Sequence, residues 1–347
     1  MDKKHIFLVL ILAVMIFVFL AKPSYTENMN HKKQDTGHGT QDQIHFAAHG
    51  NAGTVGEVDT NEFDPTEFLT TWNFNNLQEE RGKYYKETAL PDGTLLREYW
   101  ITAENKDIEI APGVIFPAWT FNGQVPGPTI RATEGDTVRI HFTNKGDHPH
   151  SMHFHGFHPA EMDGATADQQ VKPDESFTYE FKAEPAGLHL YHCHTVPLYQ
   201  HISKGLYGTY IVDPKIDREP AKELIMVMNG FDTNFDEENE VYAVNTVAFY
   251  HMDHPIKVKL NETVRIYLVN ILELDQINSF HLHGNFFNEY RTGTRDTPDA
   301  FTDIITMGQG ERSILELKFK FPGKFMFHAH KTEFAEKGWS GMFEVEE

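Results

Sequence analysis

The chain has 347 residues, 40% of them hydrophobic and 13% aromatic, which is enough for two domains with packed cores and excludes a wholly disordered chain. A formal net charge of −21 excludes a nucleic-acid partner, because a polyanion requires a basic footprint that is absent here. A single cysteine, Cys193, excludes an intramolecular disulfide, and a lone thiol in an exported chain calls for burial or a metal to protect it.

At the amino terminus, Lys3 and Lys4 precede an unbroken apolar run from Ile6 to Ala21. Residues 1–21 therefore read as a secretory signal or an amino-terminal membrane anchor. Either way the expectation is export to an extracytoplasmic location, periplasmic or at the cell surface. The run is shorter than a comfortable spanning helix and lacks a clean cleavage site, so cleavage and anchoring both stay open. Residues 22–60 are polar and poor in aliphatics, and are expected to be a disordered linker; His31, His38, His45 and His49 belong to it.

Beyond Asn61, short runs of Val, Ile, Phe, Tyr and Thr alternate with Gly, Pro, Asn and Asp. Asp107–Phe116, Asp136–Asn144 and Ser176–Lys182 read as strands, and the class is an all-β sandwich. The chain also repeats itself. Glu134–Ile140 is echoed by Leu260–Ile266, His153-Phe-His-Gly156 by His281-Leu-His-Gly284, and Gly187–His194 by Gly323–His330, at offsets of 126, 128 and 136 residues. Two copies of one domain are expected, 61–213 and 214–347, joined near Pro214 and Pro220.

With 21 histidines, roughly one His-x-His pair would arise by chance. Four pairs fall at matching places in the two repeats: His153/His155, His192/His194, His281/His283 and His328/His330. On a strand, residues two apart share a face, so each pair is a pincer for a metal. Eight imidazoles exceed what one mononuclear site can use, and a metal cluster is implied. Cys193 lies between His192 and His194, so its sulfur points to the opposite face and belongs to another site. With His150 and His201 as candidate partners it supplies the His₂Cys set of a blue-copper electron-transfer centre. The shared tripeptide gives an electron at the thiolate a short covalent path to His192 and His194.

These motifs, with the Phe121–Pro128 stretch Phe-Asn-Gly-Gln-Val-Pro-Gly-Pro, resemble the multicopper oxidases over roughly Asp107 to Glu347. The resemblance implies two tandem cupredoxin-like Greek-key β-sandwich domains and four coppers per chain. It implies type 1 copper on His150, Cys193 and His201, with non-coordinating Leu206 at the axial position, which raises the reduction potential. His153 and His281 would bind type 2 copper, and His155, His192, His194, His283, His328 and His330 the type 3 pair. In the second repeat the type 1 positions hold Asn278, Ala329, Phe334 and Trp339, so that copper is lost. This pattern resembles the two-domain class, whose homotrimers place each trinuclear cluster between domain 1 of one chain and domain 2 of the next.

The function so implied is laccase-like: one-electron oxidation of a reductant docking near the edge of His201, coupled to four-electron reduction of dioxygen to water. The electron donor, whether a small molecule, a metal ion or a cupredoxin, is not readable from the sequence. The rivals are copper nitrite reductase, whose members have Asp where His153 stands, and a non-catalytic copper or electron carrier.

Overall fold

The computed structural model describes residues 84–347. The apolar segment 1–21, the linker 22–60 and the start of the first domain up to residue 83 lie outside the described residues. Among the described residues no helix is long and apolar enough to cross a membrane.

The regular structure of the described chain is nearly all strand, as its short β-branched and aromatic runs predict. The first sandwich packs a five-stranded sheet on a four-stranded one. The second packs six strands on five. In both copies the strand that begins with the repeated Thr-Val-Arg-Ile segment pairs in parallel with an earlier strand of its domain: Thr137–Asn144 with Leu95–Ala111, and Val264–Asn270 with Lys222–Phe231. Parallel neighbours need a crossover connection, which is how a Greek-key sandwich closes. The expected strands Asp136–Asn144 and Ser176–Lys182 appear as Thr137–Asn144 and Ser176–Lys182. Asp107–Phe116 does not run as one strand: Pro112-Gly113 turns the chain, with Gly113 at φ +75°, and separates Leu95–Ala111 from its antiparallel partner Val114–Phe121.

Each sandwich has its own core. Ile101, Val138, Phe142, Phe154, Tyr179 and Tyr191 fill the first; Leu224, Ile266, Phe280, Leu315, Phe327 and Phe343 fill the second. A third apolar cluster joins them, with Phe116, Leu190 and Ile211 from one side and Val227, Phe231, Tyr267 and Ile314 from the other. Polar contacts fix the angle: Arg312 Nε donates to the Leu188 carbonyl at 3.0 Å, and Leu188 N to the Thr292 carbonyl at 2.7 Å. Where the connecting segment Pro214–Ala221 leaves the first sandwich, Arg131 grips Asp213 at 2.6 Å and Glu223 at 2.7 Å. Burial alone would raise the Glu223 carboxyl, but hydrogen bonds from Arg131, Tyr267 and Arg265 hold it down at about 2.

Candidate copper centres

The ligand strands sit in corresponding places in the two sheets. His153 is directly opposite His192 across the antiparallel pair His153–Phe154 and Gly187–His192. His281 is opposite His328 in the same way. The pincers predicted from alternation are thus pairs of facing pincers. His155 Nε2 and His192 Nε2 approach to 3.3 Å, and His283 Nε2 and His328 Nε2 to 3.0 Å. His194 and His330 complete each quartet, with ring centroids 5.1 Å from His153 and 5.5 Å from His281 respectively.

Backbone carbonyls hold the opposite ring nitrogens. His153 Nδ1 bonds the Asp163 carbonyl at 2.9 Å and His281 Nδ1 the Asp303 carbonyl at 2.8 Å. His192 Nδ1 bonds the Cys193 carbonyl at 2.9 Å and His328 Nδ1 the Ala329 carbonyl at 2.7 Å. With Nδ1–H committed, each of these rings presents a bare Nε2 to the shared space, the tautomer a metal requires. The Asp163 carboxylate also lies 3.0 Å from His153 Nδ1 and 3.7 Å from His158 Nε2. Gly164 makes this approach feasible: any Cβ there would stand 2.2 Å from the Met152 carbonyl oxygen.

Behind the first quartet, on the other face of the strand, Cys193 Sγ lies 3.2 Å from His201 Nδ1 and 3.9 Å from His150 Nδ1, and the two Nδ1 atoms are 3.1 Å apart. Three elements converge to do this. Cys193 N donates to the Leu206 carbonyl at 2.9 Å; the Leu198–Ser203 helix carries His201; and His150 is pinned by a two-way backbone bridge to Val171. Ser151 N also points at the sulfur, at 3.4 Å. His150, Cys193 and Leu206 are fully buried, and His201 is 2% exposed. His201 therefore offers only a small part of its edge to an outside reductant. The Trp119 ring covers it, packed edge-on against His201 at 4.8 Å and against His150 at 5.2 Å.

The second sandwich keeps this scaffold without its donors. Ala329 N bonds the Trp339 carbonyl and Trp339 N the Phe334 carbonyl, reproducing Cys193 with Leu206 and Leu206 with His201; Ser279 Oγ receives His330 N as Ser151 Oγ receives His194 N. Three of the four side chains are apolar: Ala329, Phe334 and Trp339 are part of the core, and the indole packs against Phe280 and Phe327, while buried Asn278 accepts from Ser279 N at 2.7 Å.

Within one chain the two quartets do not meet. His153, His155 and His192 bring ligand atoms within 4.8 Å of one another, as do His281, His283 and His328, but as two separate groups among the described residues. The second quartet is the more open, with His283 and His330 exposed.

Burial dominates the electrostatics. It pushes His150 and His155 down to about 3 and His192 and His201 down to about 4, with neighbouring histidine charge adding to the effect, and it pushes the Cys193 thiol up. These four imidazoles are thus neutral at ordinary pH and need lose no proton to bind a metal. A pH dependence of apoprotein stability follows. Native pKa values lie below the unfolded value near 6.5, so above that pH the two states bind equal protons. Below it the unfolded chain takes up protons that the native state refuses until about pH 4 to 3. Apoprotein stability should therefore fall as pH drops from about 6.5 to about 4, at up to about 1.4 kcal/mol per pH unit for each buried histidine, while protein loaded with copper starts higher. Urea unfolding of the two forms between those pH values measures this; a flat apoprotein profile would contradict it.

Two stretches match family models described as multicopper oxidase, residues 102–217 and 217–347. A solved multicopper oxidase is 55% identical, with a TM-score of 0.78, and the match covers 83% of this chain and 100% of that one. Copper-containing nitrite reductases of Neisseria gonorrhoeae and Neisseria meningitidis are 32% identical over 263 residues, 70% of this chain and 66% or 67% of theirs. Laccase-2 of Botryotinia fuckeliana is 38% identical over 142 residues, 38% of this chain and 24% of that one. The chain belongs to the multicopper oxidase family, a family of copper oxidoreductases, and its fold is two cupredoxin-like domains.

Proposed function

We propose that the protein is an exported, laccase-like oxidase carrying four coppers per chain, which oxidises a reductant by single electrons and reduces dioxygen to water. The residues fit the metal. Soft sulfur with two buried imidazoles suits a type 1 site, and eight imidazoles in matched quartets suit a trinuclear one. His150, Cys193 and His201 would hold type 1 copper, His153 and His281 type 2, and His155, His192, His194, His283, His328 and His330 the type 3 pair. Bound there, copper supplies one-electron transfer at the thiolate and multi-electron transfer to dioxygen at the cluster. The protein's own part is to hold the rings in their Nε2-out orientation, to keep the non-coordinating Leu206 in the same apolar cluster as Cys193, and to place Asp163 against His153.

The observation that carries this reading is the second quartet. A mononuclear catalytic copper has no use for four extra imidazoles with two Nε2 atoms held 3.0 Å apart. Because the quartets are separate in one chain, the reading includes a homotrimer in which domain 1 of one subunit faces domain 2 of the next. The identity to nitrite reductases supports the rival. Metal analysis with oxygen uptake separates them: about four coppers per chain and oxygen consumed with a phenol or a metal-ion reductant are expected. About two coppers, nitrite turnover and no oxygen uptake would replace the oxidase reading.

A further inference from the structure

The His150–Cys193–His201 centre is nearly closed: His201 keeps 2% of its surface open, and the larger Trp119 ring packed against it keeps 7%. Trp119 is, among the described residues, the one aromatic ring packed against both histidines. On another side its indole lies 4.8 Å from the ring of His148, whose side chain is 52% exposed. Trp119 also belongs to the lining of an open pocket of about 520 Å³, with Asn105, Lys106, Asp107, Gln200 and Lys204. The pocket is tied to the centre through the chain: Trp119 N donates to the Lys204 carbonyl at 2.9 Å, and Lys204 follows His201 by three residues. The Lys204 ammonium sits 3.9 Å from the Phe235 ring centroid, which fixes it at the rim rather than leaving it to wander in solvent.

We infer that electrons reach the type 1 centre through the Trp119 indole, from a reductant seated in this pocket, and that Lys106 and Lys204 make it favour anionic reductants over metal cations. The inference rests on the proposed type 1 copper site but not on dioxygen reduction. The step is an outer-sphere transfer: the reductant loses one electron, bound Cu(II) becomes Cu(I), no bond forms or breaks, and any proton the reductant sheds leaves to water. Tunnelling weakens steeply with gap, and the indole replaces a gap by ring-to-ring contact. The charge argument is local. On a chain of net charge −21 a cation is attracted everywhere; Lys106 and Lys204 line this pocket with Asp107, with Asp147 bonded to His148 nearby, so it is a place where an anion is repelled less than elsewhere on the surface.

The test uses the full-length, copper-loaded protein, mixed without oxygen with hexacyanoferrate(II) or with hexaammineruthenium(II), following bleaching of the type 1 absorption. Trp119→Leu should keep the type 1 optical and paramagnetic spectra while slowing bleaching by both probes about tenfold or more, with Trp119→Phe between. Lys106→Gln with Lys204→Gln should slow hexacyanoferrate(II) several-fold and quicken the ruthenium complex. An independent readout needs no turnover: copper added to apoprotein should quench a tryptophan emission component that is missing in Trp119→Phe. Unchanged bleaching in a spectrally intact Trp119→Leu would overturn the electron path, and an unchanged probe preference in the lysine variant would overturn the selectivity. Should Trp119→Leu fail to fold, Trp119→Phe and the lysine variant decide. Absent oxygen uptake with these rates intact would strike the oxidase reading alone.

Discussion

Cys193→Ser is expected to abolish the type 1 absorption and to lower reductant-driven oxygen uptake by on the order of 10³ or more, with three of four coppers per chain retained. Oxygen is close to sulfur in size, and the site is rigid before any metal enters. The Leu206 carbonyl, Ser151 N and the Val171 bridge fix the positions around residue 193 through backbone atoms that the substitution does not touch. The second sandwich holds the same hydrogen bonds around Ala329, so this scaffold does not need a thiol to fold. What serine lacks is the soft, polarisable thiolate that makes a blue site and the covalent step from metal donor to backbone between His192 and His194. Far-ultraviolet circular dichroism should match the parent. Retained colour in Cys193→Ser, or oxygen uptake within a few-fold of the parent, would remove Cys193 from the electron path.

The second large effect concerns the proposed division of a cluster between chains. A variant with His155→Ala and His192→Ala and another with His283→Ala and His328→Ala are each expected to lose essentially all oxygen uptake, since each removes one facing pair. Unfolded together in equal amounts and reassembled with copper, they should regain about one quarter of the parent activity, because one interface in four then combines an intact domain 1 with an intact domain 2. If both quartets of one chain made the site, mixing would restore nothing. The geometry of the single chain, with an exposed His283 and two unjoined quartets, motivates the experiment.

Much of this site was legible before any coordinates. Alternation on a strand is enough to place His192 and His194 on one face with Cys193 on the other, and the repeat is enough to match His281 and His328 with His153 and His192. The register that sets these histidines opposite one another follows from the same pattern occurring in both strands. Asp163 and Asp303 were not visible in this way. They follow His153 and His281 at different spacings, ten and 22 residues, and act through backbone carbonyls that any residue carries. Gly164 marks the first loop only once the Met152 carbonyl is known to press against it.

Trp119 was passed over for a related reason. In the sequence it is one aromatic in a strand of aromatics, and its role comes from Lys204, His148 and His201, which are distant in the chain and meet only at one end of the sandwich. The turn at Pro112-Gly113 was legible, by contrast, because a Pro-Gly pair breaks a strand and outweighs the β-branched residues on either side of it.

The amino-acid sequence by itself determined the all-β class, the duplication and the identity of the candidate donor atoms, because these depend on local periodicity and residue chemistry. Only the tertiary structure decided that His201 is almost wholly buried, that Trp119 packs over it and that one chain keeps its two quartets apart, because burial and separation depend on how whole sheets pack, which no local pattern encodes.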